Sequence, residues 1–287
     1  MVPSVLAMSA SSLRRRPFLD VDRPVLFAHR GGAKLWPENT LVAFRGALDL
    51  GFIFLETDVH ETKDGVLVVH HDERVDRTTD GSGRIRDLTY PELERFDAGY
   101  RFTKDGSSFP YRGKGLRIPT LVEAFALSER ARFNVEIKPR GRRVVRKLWE
   151  FIDTNGFHDR ILVAASEDVQ VRRFRKLSNN RVATSASTRE ALRFWLSVHL
   201  HIDRFVPVAF DALQVPTTYF GLTVVDREFV RAAHHRGVQA HVWTIDEPSE
   251  VRRLLNLGVD GIMSDRPDRL VALPQVRAPD SLRPLPG

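Results

Sequence analysis

Two histidines stand beside charged or turn-forming neighbours, in His29-Arg30-Gly31-Gly32 and in His71-Asp72. Between them run Pro37-Glu38-Asn39-Thr40 and the acidic alternation Glu56-Thr57-Asp58. Phe52-Ile53-Phe54-Leu55 precedes Glu56, so the acidic pair lies in a strand-like run. Residues i and i+2 of a strand face the same side. Glu56 and Asp58 therefore project together, with His60 below them. Adjacent carboxylates repel unless a cation lies between them. One divalent ion, Mg²⁺ or Ca²⁺, is the simplest answer, because hard cations take oxygen ligands. The competing reading is a buried salt-bridge cluster with Arg30 and Lys138. Gly31-Gly32 reads as a tight turn that lets the backbone pass close to a ligand.

Further pieces follow in order: Asp64-Gly65, Arg77-Thr78-Thr79, Glu136-Ile137-Lys138-Pro139, Val242-Trp243-Thr244, and Asp260-Gly261-Ile262 with Asp265-Arg266-Pro267. Together with the first set they cover about residues 25–270, and the whole resembles the glycerophosphodiester phosphodiesterase family. The resemblance implies a metal-dependent TIM barrel that cuts glycerol 3-phosphate from an alcohol. It implies that His29 and His71 are the general acid and base, and that Glu56, Asp58 and Glu136 hold the metal. A histidine titrates near pH 6.5, which suits either role, and the sequence leaves open which is which. Arg30 and Lys138 supply cations for the phosphate, arginine by gripping two oxygens and lysine as a point charge. Glu38 and Asn39 read either as ligand or substrate contacts or as a helix cap. Trp243 reads as a wall for the glycerol or alcohol, against core packing. His70 points away from His71 on a strand and is structural.

Hydrolysis of glycerophosphodiesters is the expected activity, with lysophospholipase D-type action on lysoglycerophospholipids as the alternative. Tyr100, Phe102, Phe109 and Tyr111 would supply an aromatic rim for the variable alcohol. A non-catalytic barrel that binds phosphate esters is a rival from another class. It would lose a histidine or a metal carboxylate, and none is lost.

The chain is long enough for one barrel of about 250 residues, at 287 residues. Lys and Arg number 44 against 37 Asp and Glu, a net charge of +7. That charge fits an anionic small molecule or peripheral contact with an acidic membrane, though solvated basic helix faces explain it as simply. No nucleic-acid motif is present. No apolar run reaches the roughly 20 residues of a membrane-spanning helix. With no cysteine, thiolate metal sites and cysteine nucleophiles are excluded. Arg14-Arg15-Arg16 follow the short apolar start, the reverse of an export signal. A cytoplasmic protein is expected.

Strand and helix patterns alternate from residue 24, and eight strand–helix units give an α/β TIM (β/α)8 barrel. Residues 24–272 form this domain. Residues 1–23 read as a disordered leader and 273–287 as a Pro-rich tail. The loop-rich stretch 73–118 reads as an insertion after the second strand, lying over the barrel mouth. The chemistry of such barrels sits at the C-terminal strand ends. His29, Glu136, Lys138, Trp243 and Asp265 all fall there.

Overall fold

The computed structural model describes residues 16–21, 24–138 and 140–273. Eight parallel strands close around one axis: β1 Val25–Ala28, β2 Phe54–Glu61, β3 Arg132–Ile137, β4 Ile161–Ala164, β5 Ala183–Thr184, β6 Ala212–Val215, β7 Gln239–Val242 and β8 Gly261–Ser264. Their spatial order is β5-β4-β3-β2-β1-β8-β7-β6. A parallel bridge between Ser185 and Ala212 joins the two ends. The architecture is the expected (β/α)8 barrel.

A helix follows each strand and starts where local chemistry starts it. Thr40 caps Leu41–Asp49 by accepting from the Ala43 amide. Thr120 and Glu123 make a reciprocal cap of Leu121–Ala126. For Thr188–His199 the cap is Ser187 with Glu190. Helix Arg142–Asn155 buries Val144, Val145, Leu148 and Ile152 on one stripe and stops at Gly156, whose φ is +68°. The main apolar core lies between these helices and the outer faces of the strands.

A second cluster fills the barrel's N-terminal end. Phe27, Phe54, Leu162, Ala183, Ala212 and Met263 point inward from six strands, and Phe18 closes them from below. Phe18 is 1% exposed and meets Phe54 edge-on at 5.5 Å. Arg132 donates to the Pro17 and Phe18 carbonyls, and Gln239 donates to that of Leu19. The reading of 1–23 as a loose leader is therefore corrected for residues 16–21. The open bottom of a barrel exposes apolar side chains, and this segment buries them. The rest of that leader, and the tail beyond Leu273, lie outside the described residues.

Past β2 the chain turns back in an antiparallel hairpin, pairing Leu67–Val69 with Val59–Glu61. Residues 73–118 then fold over their own small core of Val75, Ile85, Leu93, Ala98 and Ile118 with Val68. A short helix, Tyr90–Leu93, sits inside this stretch. The sequence reading contained no counterpart of one further element. Directly after β6, Thr218–Tyr219 pairs with Leu222–Thr223 in a two-residue hairpin.

Candidate active site

Strand register assembles the carboxylates. Asp58 pairs side by side with Glu136 across β2 and β3, and Glu56 lies two residues earlier on the same face. Carboxylate oxygens of the three approach within 4.8 Å of one another. Glu56 and Asp58 are buried and Glu136 half-buried. Burial and the neighbouring Asp58 push the Glu56 carboxyl up to about 7, against the pull of His29 and Arg30. Asp58 goes the other way: burial opposes its charge, but Lys138 and Arg30 beside it hold its pKa below the usual carboxylate range.

Lys138 lies 3.0 Å from Asp58 Oδ1 and 2.9 Å from Glu136 Oε2. Arg30 Nε lies 3.5 Å from Asp58 Oδ2, while its Nη1 donates to Glu38 at 3.1 Å. Three carboxylates thus share two cations, one of which also serves Glu38. The donor set is all oxygen and short of positive charge by one or more units. That fits a hard divalent ion, with Glu56, Asp58 and Glu136 as its ligands. The expected salt bridges from Arg30 and Lys138 to these carboxylates are also present.

His29 ends β1. Its Nδ1 is 2.7 Å from Asp265 Oδ1 and its Nε2 is 3.7 Å from Glu56 Oε2. A carboxylate only accepts, so Nδ1 carries the proton and Nε2 is turned to the carboxylate cluster. Burial works against a charged His29, but Glu56 and Asp265 outweigh it and its pKa is raised. His71 follows the hairpin strand and repeats the device, with Nδ1 2.6 Å from Asp72 Oδ1.

A run of side chains links His71 to Arg30. Arg77 Nε donates to Asp72 at 2.5 Å, and its other two nitrogens grip Glu38 at 2.9 and 2.6 Å. Glu38 in turn holds Arg30. Burial would raise the Glu38 pKa, but Arg77 and Arg30 bring it below the ordinary value. The cap reading of Glu38 and Asn39 gives way, since Thr40 performs the capping. Asn39 instead donates to Asp58 at 2.9 Å and accepts from Thr57 at 2.8 Å. Arg30 and Asn39 both hold left-handed backbone, with φ of +51° and +57°. Such conformations persist only where the surroundings enforce them.

Other residues divide as follows. His70 is buried away from His71, with its ring nitrogens at the Asp72 carbonyl and the Thr78 hydroxyl. His60 is buried below Asp58, beside the His71 carbonyl, and burial pushes its pKa down to about 4. Trp243 stands just past β7 and is 42% exposed, so core packing does not hold it. The insertion aromatics form no open rim. Arg112 sits over the Tyr100 and Phe109 rings, and Phe102 stacks edge-on with Tyr111. Only Phe102 reaches toward the site, in a cavity of about 160 Å³ with Glu38, Arg77, Arg101 and Thr78. Sequence reasoning gave no role to Asp265, Asp72, Arg77 or Ser166, whose hydroxyl donates to Glu136 at 3.0 Å. The Asp next to His71 and the Arg five residues on were the available signals.

Comparison with known proteins agrees with this geometry. The model of the glycerophosphoryl diester phosphodiesterase family matches residues 29–269. A glycerophosphodiester phosphodiesterase of Caldanaerobacter subterraneus subsp. tengcongensis is 33% identical over 88% of this chain and 98% of its own. A human lysophospholipase D is 28% identical over 85% of this chain and 83% of its own. Among solved structures, an Oleispira antarctica phosphodiesterase in complex with the product sn-glycerol-3-phosphate superposes with a TM-score of 0.65 at 26% identity, covering 87% of this chain and 95% of that one.

Proposed function

The chain belongs to the glycerophosphodiester phosphodiesterase family, an enzyme family that hydrolyses glycerophosphodiesters, and from that premise we propose a metal-dependent hydrolysis carried by two histidines, yielding glycerol 3-phosphate and an alcohol. The observation that carries the proposal is the pair of carboxylate-held histidines, His29 with Asp265 and His71 with Asp72, the first near Glu56 and the second near Asp58 of a cation-poor acidic cluster. Glu56, Asp58 and Glu136 would hold the divalent ion, Mg²⁺ or Ca²⁺, which when bound neutralises charge on the phosphoryl oxygens.

The chain's own groups supply the rest. Asp265 and Asp72 fix their imidazoles with Nε2 free, as a proton donor or acceptor requires. One imidazole takes the proton of the attacking hydroxyl, either that of water or the substrate's own 2-hydroxyl, the second route giving a cyclic phosphate that water then opens to glycerol 3-phosphate. The other delivers a proton to the departing alkoxide. Arg30 and Lys138 face the phosphate with positive charge, and the carboxylates that hold them fix their direction. Trp243, exposed at the strand ends, is the wall for the glycerol or the alcohol. Glu38 and Asn39 orient Arg30 and Asp58 for these contacts.

Lysoglycerophospholipids are a second substrate class, favoured by the likeness to the human lysophospholipase D. The +7 net charge supports peripheral contact with an anionic lipid surface, and we place the enzyme in the cytoplasm.

The test is release of alcohol from glycerophosphocholine before and after exhaustive chelation. Activity should vanish and return with Mg²⁺ or Ca²⁺. Titration calorimetry gives a second readout, in which Glu56→Gln should bind the ion more weakly while keeping its melting temperature. Full turnover after chelation would sink the metal assignment.

A further inference from the structure

The hairpin after β6 exposes what a soluble protein normally hides. Tyr219, Phe220 and Leu222 are 59%, 90% and 58% exposed. Tyr219 and Leu222 are directly opposite in the ladder, so their side chains share one face. Phe220 and Gly221 form the turn, with φ of +47° and +80°. Two positive φ angles define the turn that suits a two-residue hairpin, and that turn favours Asn-Gly. A phenylalanine there accepts backbone strain and gains no burial in this chain. The hairpin springs from the C-terminal end of a barrel strand, so it stands on the face that carries His29 and Glu136.

Its anchor brings positive charge. The Trp195 indole donates to the Thr223 carbonyl at 3.2 Å, tying the hairpin to helix Thr188–His199. On that helix Arg189, Leu192, Arg193 and Leu196 are all exposed. Their spacing of i, i+3, i+4 and i+7 puts them on one stripe. Neither arginine has a carboxylate partner among the described residues. An apolar tip beside alternating arginine and leucine matches an anionic bilayer, with rings at headgroup depth and guanidinium groups on lipid phosphates.

We infer that the hairpin Thr218–Thr223 and the exposed stripe of helix Thr188–His199 form a docking surface for anionic phospholipid membranes, seated beside the active site. This rests on the proposed reading of the site, because it turns the catalytic face toward the layer in which a lysoglycerophospholipid resides. The membrane would hold both enzyme and lipid substrate, whereas a soluble glycerophosphodiester needs no such contact.

The experiment is cosedimentation of the full chain with phosphatidylcholine vesicles, with and without phosphatidylglycerol. Wild type should bind the phosphatidylglycerol vesicles and release them as salt rises. Phe220→Asn restores the favoured turn pair, so its melting temperature should hold or rise, yet its vesicle affinity should fall about tenfold. Reversing Arg189 and Arg193 together to Glu should lower affinity by roughly 30-fold or more and remove the preference for phosphatidylglycerol. Hydrolysis of soluble glycerophosphocholine should be unchanged in both variants. Vesicle binding equal to wild type in Phe220→Asn would overturn the inference. So would concentration-dependent self-association that Phe220→Asn abolishes without any vesicle binding, since the occupant would then be a second copy of the chain. Vesicle binding by a protein that hydrolyses no glycerophosphodiester would refute the function and leave the docking surface standing.

Discussion

Replacing Asp265 by Asn tests whether His29 works as an oriented proton carrier. The change preserves size and leaves the loop in place, because the backbone amide of residue 265 still donates to Asp246. Two things change at His29. A charge-assisted hydrogen bond at 2.7 Å becomes a neutral one, and such bonds contribute about 1.5–3 kcal/mol. The new amide can also donate to Nδ1, which forces the proton onto Nε2, where the substrate must be met. The first effect alone corresponds to a loss of about 10- to 100-fold. The second extends it toward the 10²–10⁴-fold that a general acid or base supplies. We expect kcat on glycerophosphocholine to fall by about 10²-fold with little change in KM, since Asp265 lies behind the ring. The pH profile supplies an independent sign. Burial disfavours the charged imidazole, while Glu56 and Asp265 raise its pKa. Removing the charge of Asp265 should therefore shift the limb belonging to His29 to lower pH, whether that limb reports an acid or a base. A variant with kcat within about twofold of wild type and an unmoved profile would refute the orienting role.

Four further outcomes are expected. His29→Ala and His71→Ala should each lower turnover by about 10²–10⁴-fold, and His70→Ala far less, as steady-state assays will show. Burial holds the His70 pKa below its ordinary value, as it does that of His60, so the unfolded chain binds the extra protons and stability should fall as pH drops below about 6.5; urea melts of His70→Gln should show a shallower slope, the remainder belonging to His60. Phe18→Ala opens the barrel floor and should cost about 3–5 kcal/mol, read as a lower urea midpoint at unchanged m-value. Phe102→Ala should change the kcat/KM ratio of lysophosphatidylcholine to glycerophosphocholine, while Tyr100→Ala, whose ring is engaged with Arg112, should leave it unmoved.

The barrel was legible because each of its units signs itself locally. A short apolar run followed by a Ser, Thr or Asp cap and a helical stripe recurs, and Gly156 and Gly258 end their helices with the left-handed turn that glycine favours. What escaped was non-local or contrary to local rules. Phe18 looked like part of a polar leader because nothing near it in sequence says that the barrel floor is open. The hairpin at 218–223 was missed for a related reason: its strands are two residues each, and its turn carries Phe-Gly where Asn-Gly would have announced it.

The candidate site divides along the same line. Glu56, Asp58 and the two histidines stood out by type and spacing, but their effective chemistry depends on residues chosen by the fold. Asp265 reaches His29 from 236 positions away, and Asp58 meets Glu136 only through the β2–β3 register. Arg30 and Asn39 reach their partners through positive φ angles that no residue-type rule assigns to them. The Asp72–Arg77–Glu38–Arg30 chain makes the point sharpest. Arg77 is about half exposed, so on a surface its ion pairs would be worth little. Here each end of the chain is fixed to a group that must be aimed, His71 at one end and Arg30 at the other. The contribution of Arg77 is therefore expected in the direction of those two side chains, and so in turnover, more than in the stability of the barrel.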